Sequence, residues 1–193
     1  MGAGVIIRRA GAEDLDFLVE KDLDGEGYTV SPVEYVASDE EKQLHRAKIQ
    51  AFVSEPAEAG WVAVDEDCGL RVGMILARYR DRQHEPDNEA NRWLFRFLDV
   101  SIFPEDGRFC EIFNLWVDPG YRRRGLATRL KLAAEEEARR RGIQMMYTHT
   151  EASNRHVIEL NLKLGYQVVR TGRLGFGVDD EVLRTSLVKW LTS

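Results

Sequence analysis

One stretch of the sequence says most about how the chain folds: Val117-Asp118-Pro119-Gly120-Tyr121-Arg122-Arg123-Arg124-Gly125-Leu126-Ala127-Thr128. An apolar run, Ile112 to Val117, stands before the turn residues, and a run with helical spacing, Leu126 to Arg141, follows them. The pattern predicts a strand, a tight turn that holds three consecutive arginines, and the first turn of a helix.

The start of this predicted helix has the chemistry of an anion site. The first N–H groups of a helix have no intrahelical partner, and the helix dipole is positive at this end. Gly125 has no Cβ, so an anion can approach the main chain closely, and Arg122, Arg123 and Arg124 add positive charge. Cations are disfavoured at a helix start unless an anion is bound there. The turn therefore predicts a cradle for a pyrophosphate.

The turn belongs to neither of two common nucleotide-binding motifs, because the chain has no G-x-x-x-x-G-K-[ST] loop and no G-x-G-x-x-G turn. Arg122-x-x-Gly125-x-Ala127 instead resembles the [QR]-x-x-G-x-[GA] signature of the GNAT superfamily of N-acetyltransferases. The strand that enters the turn also resembles that family. A downstream segment resembles its motif Asn-x-x-Ala-x-x-Leu-Tyr-x-Lys-x-Gly-Phe, with matches at Asn154, Leu160, Lys163, Gly165 and Tyr166.

This resemblance runs from about Glu111 to Tyr166 and implies the GNAT fold. That fold is an α/β architecture in which helices flank a mixed central sheet, and the parallel strands 4 and 5 splay apart. Periodicity along the chain independently predicts the order β-α-α-β-β-β-α-β-α-β-β in a single domain, 1–193. Two helices are expected after the first strand, over Ala12 to Asp24 and from Val33 to Val53.

The resemblance also implies that acetyl-CoA is the co-substrate. The pantetheine arm would pair with the backbone of the fourth strand, the arginine turn would hold the pyrophosphate, and Asn154 would hold the pantetheine amides. Lys163 would approach the adenosine phosphate, although an ordinary surface lysine is an equal alternative. The implied cofactor-binding residues are Leu115, Trp116, Val117, Arg122, Arg123, Arg124, Gly125, Leu126, Ala127, Thr128, Asn154 and Lys163.

Glu111 is the candidate general base, because several members of the family place Glu or His at this point of the strand. Its neighbours Phe109, Cys110, Ile112 and Phe113 are apolar, and desolvation raises the pKa of a carboxylate, which suits a base. The alternative is a strand glutamate paired with Arg108 or another cation. His149, in the next parallel strand, is the second candidate.

Asn161 stands where the family usually has a tyrosine that protonates the leaving thiolate. An amide cannot donate that proton, so two functions are open. One is an N-acetyltransferase that moves the acetyl group directly to a primary amine of a small molecule or peptide. The other is a non-catalytic acyl-CoA-binding module that senses the cofactor or regulates a partner.

The composition sets limits on partners and location. The chain of 193 residues is 44% hydrophobic and 31% charged, which is ordinary for a globular protein, and no apolar run approaches the length of a membrane span. Its net charge of −6 argues against non-specific binding to nucleic acid. The beginning of the chain lacks a signal-peptide layout, so a cytoplasmic location is expected. Neither histidines nor cysteines show metal-ligand spacing, and no metal is predicted.

The segment from Asp81 to Arg108 is predicted to be an insertion. Part of it is polar, but Trp93, Leu94, Phe95, Phe97 and Leu98 are too apolar for a disordered linker. They should pack either on the body of the domain or on a second subunit, which would make a homodimer. In both cases they would form a wall beside the acceptor or simply extend the core.

Overall fold

The computed structural model describes residues 4–30, 38–83, 98–173 and 182–191, with 25–30 and 100 in backbone only. The strands are β1 Val5–Arg9, β2 Glu58–Asp65, β3 Arg71–Asp81, β4 Arg108–Val117, β5 Met145–Glu151, β6 Gln167–Arg173 and β7 Leu183–Trp190. The helices are α1 Leu15–Val30, α2 Asp39–Ser54, α3 Leu126–Arg140 and α4 Arg155–Lys163. Short 3-10 turns lie at Ala12–Asp14, Val100–Ile102 and Pro119–Tyr121. Within these described ranges, the order of strands and helices agrees with the predicted order.

The strands form a seven-stranded sheet in the order β1-β2-β3-β4-β5-β7-β6. The pairs β1–β2, β2–β3, β5–β7 and β6–β7 are antiparallel. Strands β4 and β5 are parallel, with Cys110 opposite Met146 and Glu111 opposite Tyr147. The predicted α/β fold with a mixed sheet and flanking helices is therefore confirmed, whereas the splay of β4 from β5 stays a prediction.

The chain divides into two compact units. The first comprises Met1–Arg78 and Phe113–Ala134, and the second comprises Tyr79–Ile112 and Glu135–Ser193. Strands β3 and β4 and helix α3 contribute residues to both units. The single domain over 1–193 stays a prediction.

In the first unit, α1 and α2 cover one face of the sheet. Leu15, Leu18 and Val19 recur at the spacing of one helix face and are buried, as the sequence predicts. The core cluster they join consists of Ala10, Leu15, Leu18, Val19, Ile49, Phe52, Val62, Met74 and Leu76. Leu130 of α3 instead lies beside Gly73 and so packs on the opposite face of β3.

In the second unit, a separate core forms around the start of β4. Its members are Leu98, Phe103, Phe109, Met145, Tyr147 and Val188. Leu98 is buried in this core, which is the first of the two arrangements that the sequence left open for the insertion. The other apolar residues of the insertion, 93–97, lie outside the described residues.

The predicted helix boundaries need two corrections. Helix α1 continues past Asp24 to Val30, through Gly25 and Gly27, so the predicted helix end at Asp24 is wrong. An uninterrupted helix from Val33 to Val53 is also wrong, because Ser38 is extended and caps α2. The Glu41 N–H donates to Ser38 Oγ, and the Ser38 N–H donates to Glu41 Oε2. This capping box is a readable start signal that outweighs Pro32; residues 31–37 lie outside the described residues.

One carboxylate is buried where the sequence suggests exposure. The i,i+4 spacing from Glu135 to Arg139 is typical of an exposed, ion-paired helix surface. The Glu135 side chain is nevertheless fully buried, and it accepts a hydrogen bond of 2.6 Å from Lys189 Nζ.

The two cysteines differ in exposure. Cys68 is exposed and Cys110 is buried, and neither is in a disulfide. Of the helices within the described ranges, none has the length and apolarity to cross a membrane.

Candidate active site

The arginine turn has the strand-turn-helix geometry that the sequence predicts. Strand β4 ends at Val117, the 3-10 turn Pro119–Tyr121 follows, and α3 begins at Leu126. The Arg129 N–H donates to the Gly125 carbonyl at 3.0 Å, which makes Gly125 the residue that opens the helix. The N–H groups between these two residues therefore belong to the first turn, ahead of the intrahelical ladder.

The turn leaves room for an anion at its main chain. Gly125 has φ +77°, and a Cβ built there would meet no atom of the described residues within 4 Å. Arg122, Arg123 and Arg124 are exposed around it, with Arg122 Nε donating to the Val117 carbonyl at 3.0 Å. Open space over a helix start that three exposed arginines precede fits the pyrophosphate of a nucleotide cofactor.

Glu111 lies in the first half of β4 and is buried. The Arg80 Nη1 group of β3 donates to its Oε2 at 2.7 Å, so the cation of the alternative interpretation is present. It is not Arg108, whose Nη2 donates instead to the Arg141 carbonyl. The ion pair does not exclude a base, because an ionised carboxylate bonded through one oxygen still has a second oxygen that can accept a proton. The catalytic role of Glu111 stays a prediction.

Glu111 shares its sheet face with a short line of polar side chains. It is opposite Tyr147 of β5 in register, His149 lies two residues further on, and Ser186 of β7 is opposite His149. Residues in these positions direct their side chains to one face. Tyr147 Oη and Ser186 Oγ are hydrogen-bonded at 3.2 Å. Burial raises the pKa of Tyr147 well above its ordinary value, so this phenol stays protonated at neutral pH.

The two candidates for the general base, His149 and Glu111, therefore lie on the same face of the sheet. Burial lowers the pKa of His149 below 6.5; the negative charge of Glu111 raises it and the positive charge of Arg184 lowers it further. The imidazole is neutral at pH 7 as a result, which is the form that accepts a proton. Its catalytic role also stays a prediction.

The comparison with protein families covers the arginine turn and both base candidates, Glu111 and His149. The model of the Acetyltransferase (GNAT) family matches residues 22–166. This chain belongs to that family. A curated relative agrees with this family. Our GNAT chain is 36% identical over 76 residues, 39% of its length, to GCN5-related N-acetyltransferase 6, chloroplastic, of Arabidopsis thaliana. The match spans only about a quarter, 26%, of that curated relative.

Solved structures show the same fold. The Arabidopsis thaliana NAA60 structure in complex with acetyl-CoA has a TM-score of 0.67 at 20% identity, covering 98% of this chain and 99% of that one. The ribosomal-protein-S18-alanine N-acetyltransferase of Escherichia coli has a TM-score of 0.62 at 14% identity, covering 98% and 95%. At these identities the likeness concerns the fold.

The remaining residues that the GNAT motifs assign to the cofactor lie on β4 and α4. Leu115, Trp116 and Val117 form the half-buried end of β4, where the Trp116 ring is edge-on to Phe17 at 5.8 Å. Asn154 caps α4, since its Oδ1 accepts from the Val157 N–H at 3.4 Å. Lys163 is exposed at the last residue of α4. The contacts of these residues with CoA, like those of Leu126, Ala127 and Thr128, stay predictions.

Asn161, the departure from the GNAT motif, is fully buried. Its Nδ2 donates to the Val157 carbonyl at 2.9 Å, and its Oδ1 has no hydrogen-bond partner among the described residues. The amide is thus tied to its own helix, and the general acid remains unassigned.

The sequence does not indicate three of the residues that surround the base candidates: Arg80, Tyr147 and Ser186. Arg80 is 31 residues from Glu111, and Ser186 is 39 from Tyr147. Such cross-strand pairs leave no local pattern. A weak signal exists for Arg80, because Arg78 and Arg80 alternate at strand spacing with apolar residues before them.

We expect Gly125→Val to weaken CoA binding by about 2 kcal/mol, roughly 30-fold in Kd, because a side chain would fill the space above the turn. Isothermal titration calorimetry with CoA measures this. Positive φ strains any L-residue at this position, so the control is Gly142→Val, at the other end of α3. Gly142 has φ +69° and equally open surroundings among the described residues. Both variants should lose similar stability, and equal CoA affinities would contradict the prediction.

Proposed function

We propose that this protein transfers the acetyl group of acetyl-CoA directly to a primary amine. The observation that carries the proposal is the turn at Gly125, whose open backbone and arginines suit a diphosphate, in a chain of the acetyltransferase family. Acetyl-CoA is accordingly the co-substrate, and no residue of the proposal requires a metal.

The chemistry needs a neutral amine, a polarised carbonyl and a protonated leaving group. The amine nitrogen attacks the thioester carbon, a C–N bond forms, and the C–S bond breaks. The proton lost by the amine passes to Glu111 or His149, directly or through water. A backbone N–H between Leu115 and Val117 would stabilise the oxyanion, and solvent would protonate the thiolate in place of the tyrosine that Asn161 replaces.

The acceptor is proposed only as an amine of a small molecule or peptide. Both structural relatives described above are named for N-acetylation or bind acetyl-CoA, and one acts on a ribosomal protein alanine. The regions proposed to recognise the acceptor are 15–52, 81–108 and 171–180. A second copy of this chain, in a homodimer, is also among the proposed partners.

Release of CoA tests the proposal. Purified protein is incubated with acetyl-CoA and a panel of small amines, aminoglycosides and peptides with free N-termini, and free thiol is measured. Acetylated product confirmed by mass spectrometry supports the enzyme. CoA binding without turnover on any amine would favour the acyl-CoA-binding module instead, and absence of CoA binding would contradict both.

The insertion supplies one prediction about acceptor recognition. Its two ends meet: the Arg82 N–H donates to the Gly107 carbonyl at 2.9 Å, and Gln83 Nε2 donates to the Glu105 carbonyl at 2.8 Å. Residues 84–89, outside the described residues, are exchanged for a short Gly/Ser turn, which spares both bonds. The KM for the acceptor should change several-fold while the Kd for CoA stays constant. Unchanged values of both would remove the loop from acceptor recognition.

A further inference from the structure

One register pair of the sheet is bonded to both sides of the arginine turn. Val5 of β1 is paired with Asp65 of β2. The Tyr121 hydroxyl, just before the turn, donates to Asp65 Oδ2 at 2.5 Å. The Arg129 Nη2 group, in the first turn of α3, donates to the Val5 carbonyl at 2.7 Å. The segment between Tyr121 and Arg129 is therefore held at both of its ends by one register pair of β1 and β2, in addition to the bond from Arg122 Nε to the Val117 carbonyl of β4. All of these contacts lie within the first unit.

The turn needs such support because its backbone is strained. Arg123 has φ +59°, in the left-handed region that disfavours residues with a Cβ. Conformations of this kind persist only where the surroundings over-determine them. Within the turn, the Gly120 N–H donates to Asp118 Oδ1 at 2.8 Å, and the Arg124 guanidinium lies 5.0 Å from the centre of the Tyr121 ring. These local contacts shape the turn but do not attach it to the sheet.

The hydrogen bond between Tyr121 and Asp65 does not change its protonation state around neutral pH. The hydrogen bond to Asp65 raises the pKa of Tyr121 to about 12. The same bond, with the Asp67 N–H, holds the pKa of Asp65 below its usual value. The phenol therefore always donates and the carboxylate always accepts, which makes this a charge-assisted bond in the working range of the protein.

We propose that Tyr121 and Asp65, with Arg129 as the second attachment, are positioning residues that hold the arginine turn in the shape that receives the diphosphate of CoA. The proposal rests on the proposed function. It assigns these side chains no contact with the reacting atoms. Their effect is expected on the diphosphate alone, because the turn is where they act.

The test compares two acetyl donors. Acetyl-CoA carries the diphosphate and S-acetylpantetheine lacks it. In Tyr121→Phe and Asp65→Asn, KM for acetyl-CoA should rise roughly tenfold, as for the loss of one charge-assisted hydrogen bond. The kcat, and the kcat/KM for S-acetylpantetheine, should stay within about twofold of the wild type. Because the two side chains share one bond, the double variant should lose no more than the larger single loss.

Controls separate positioning from general damage. Glu137→Gln removes a carboxylate that is ion-paired with Arg141 at 2.8 Å near the other end of α3, and it should leave both donors unaffected. In the ligand-free protein, Tyr121→Phe should speed amide hydrogen exchange over 119–129 and not over α2.

Three results would overturn the proposal. Equal losses with both donors would show a merely structural role. Unchanged KM values in both variants, with wild-type CoA binding intact, would refute the positioning role of Tyr121 and Asp65 and leave the proposed function standing. Failure of the wild-type protein to bind CoA would instead overturn the proposed function, and the inference with it.

Discussion

Glu111→Gln is expected to lower turnover about 100-fold at neutral pH, with CoA affinity close to that of the wild type. Glutamine keeps the shape of the side chain, and its carbonyl can still accept the hydrogen bond from Arg80 Nη1. It cannot take the proton that the amine loses. Initial rates of CoA release with the best acceptor measure turnover, and calorimetry with CoA measures the affinity.

The matched control is Glu58→Gln, because Glu58 is also a strand carboxylate paired with an arginine, with Arg78 Nε at 3.1 Å. It should lose a comparable ion pair and keep its turnover. If Glu111→Gln retains turnover within twofold of the wild type, Glu111 is not the base, and His149→Gln becomes the next variant to measure.

The largest effect on stability is expected at Asp14, which is fully buried. Its carboxylate accepts hydrogen bonds from Arg8 Nη1 at 2.6 Å, from Arg71 Nε at 2.6 Å and from the Gly11 N–H at 2.9 Å. Asp14→Asn leaves two guanidinium groups facing a neutral amide, one N–H of which points at a donor. We expect the free energy of unfolding to fall by about 3 kcal/mol, measured by urea denaturation at pH 7.

The pH dependence gives this prediction a sign. Burial on its own would raise the pKa of Asp14, but the hydrogen bonds from Arg8, Gly11 and Arg71 outweigh it and hold the pKa below 3.8. A lowered pKa in the folded state means stability that is present above the unfolded value of about 3.9 and is lost as the pH falls through the folded value. The difference between the wild type and Asp14→Asn should therefore be full at pH 7 and shrink below about pH 4.

Asp16→Asn is the control for Asp14. Asp16 lies two residues away and is ion-paired with Arg46, but 85% of its side chain is exposed. An exposed pair contributes little, so this variant should change the free energy of unfolding by less than about 0.5 kcal/mol. Equal, small effects of the two variants would show that the Asp14 cluster does not stabilise the fold.

The sequence predicted those features that a few adjacent residues determine. The apolar run before Val117, the arginines and Gly125 lie within one short segment, so the strand, turn and helix start were readable together. The buried pair of Glu135 and Lys189 was not predicted, because 54 residues separate the two side chains. In addition, Arg139 follows Glu135 by four residues, a spacing that is typical of an exposed helix face. The pairing of Glu111 with Arg80 depends on which strands become neighbours, and the polar face of β5 and β7 depends on register. Neither quantity is encoded in local spacing.

The two cysteines give the protein an internal reporter of its own unfolding. Cys68 is exposed in the turn after β2, whereas Cys110 is buried at the start of β4, opposite Met146. A thiol-specific alkylating reagent therefore modifies the native protein once, and the second modification requires an opening of the structure that exposes Cys110. The rate of that second step reports the opening of the structure around a residue adjacent to Glu111, without any added label.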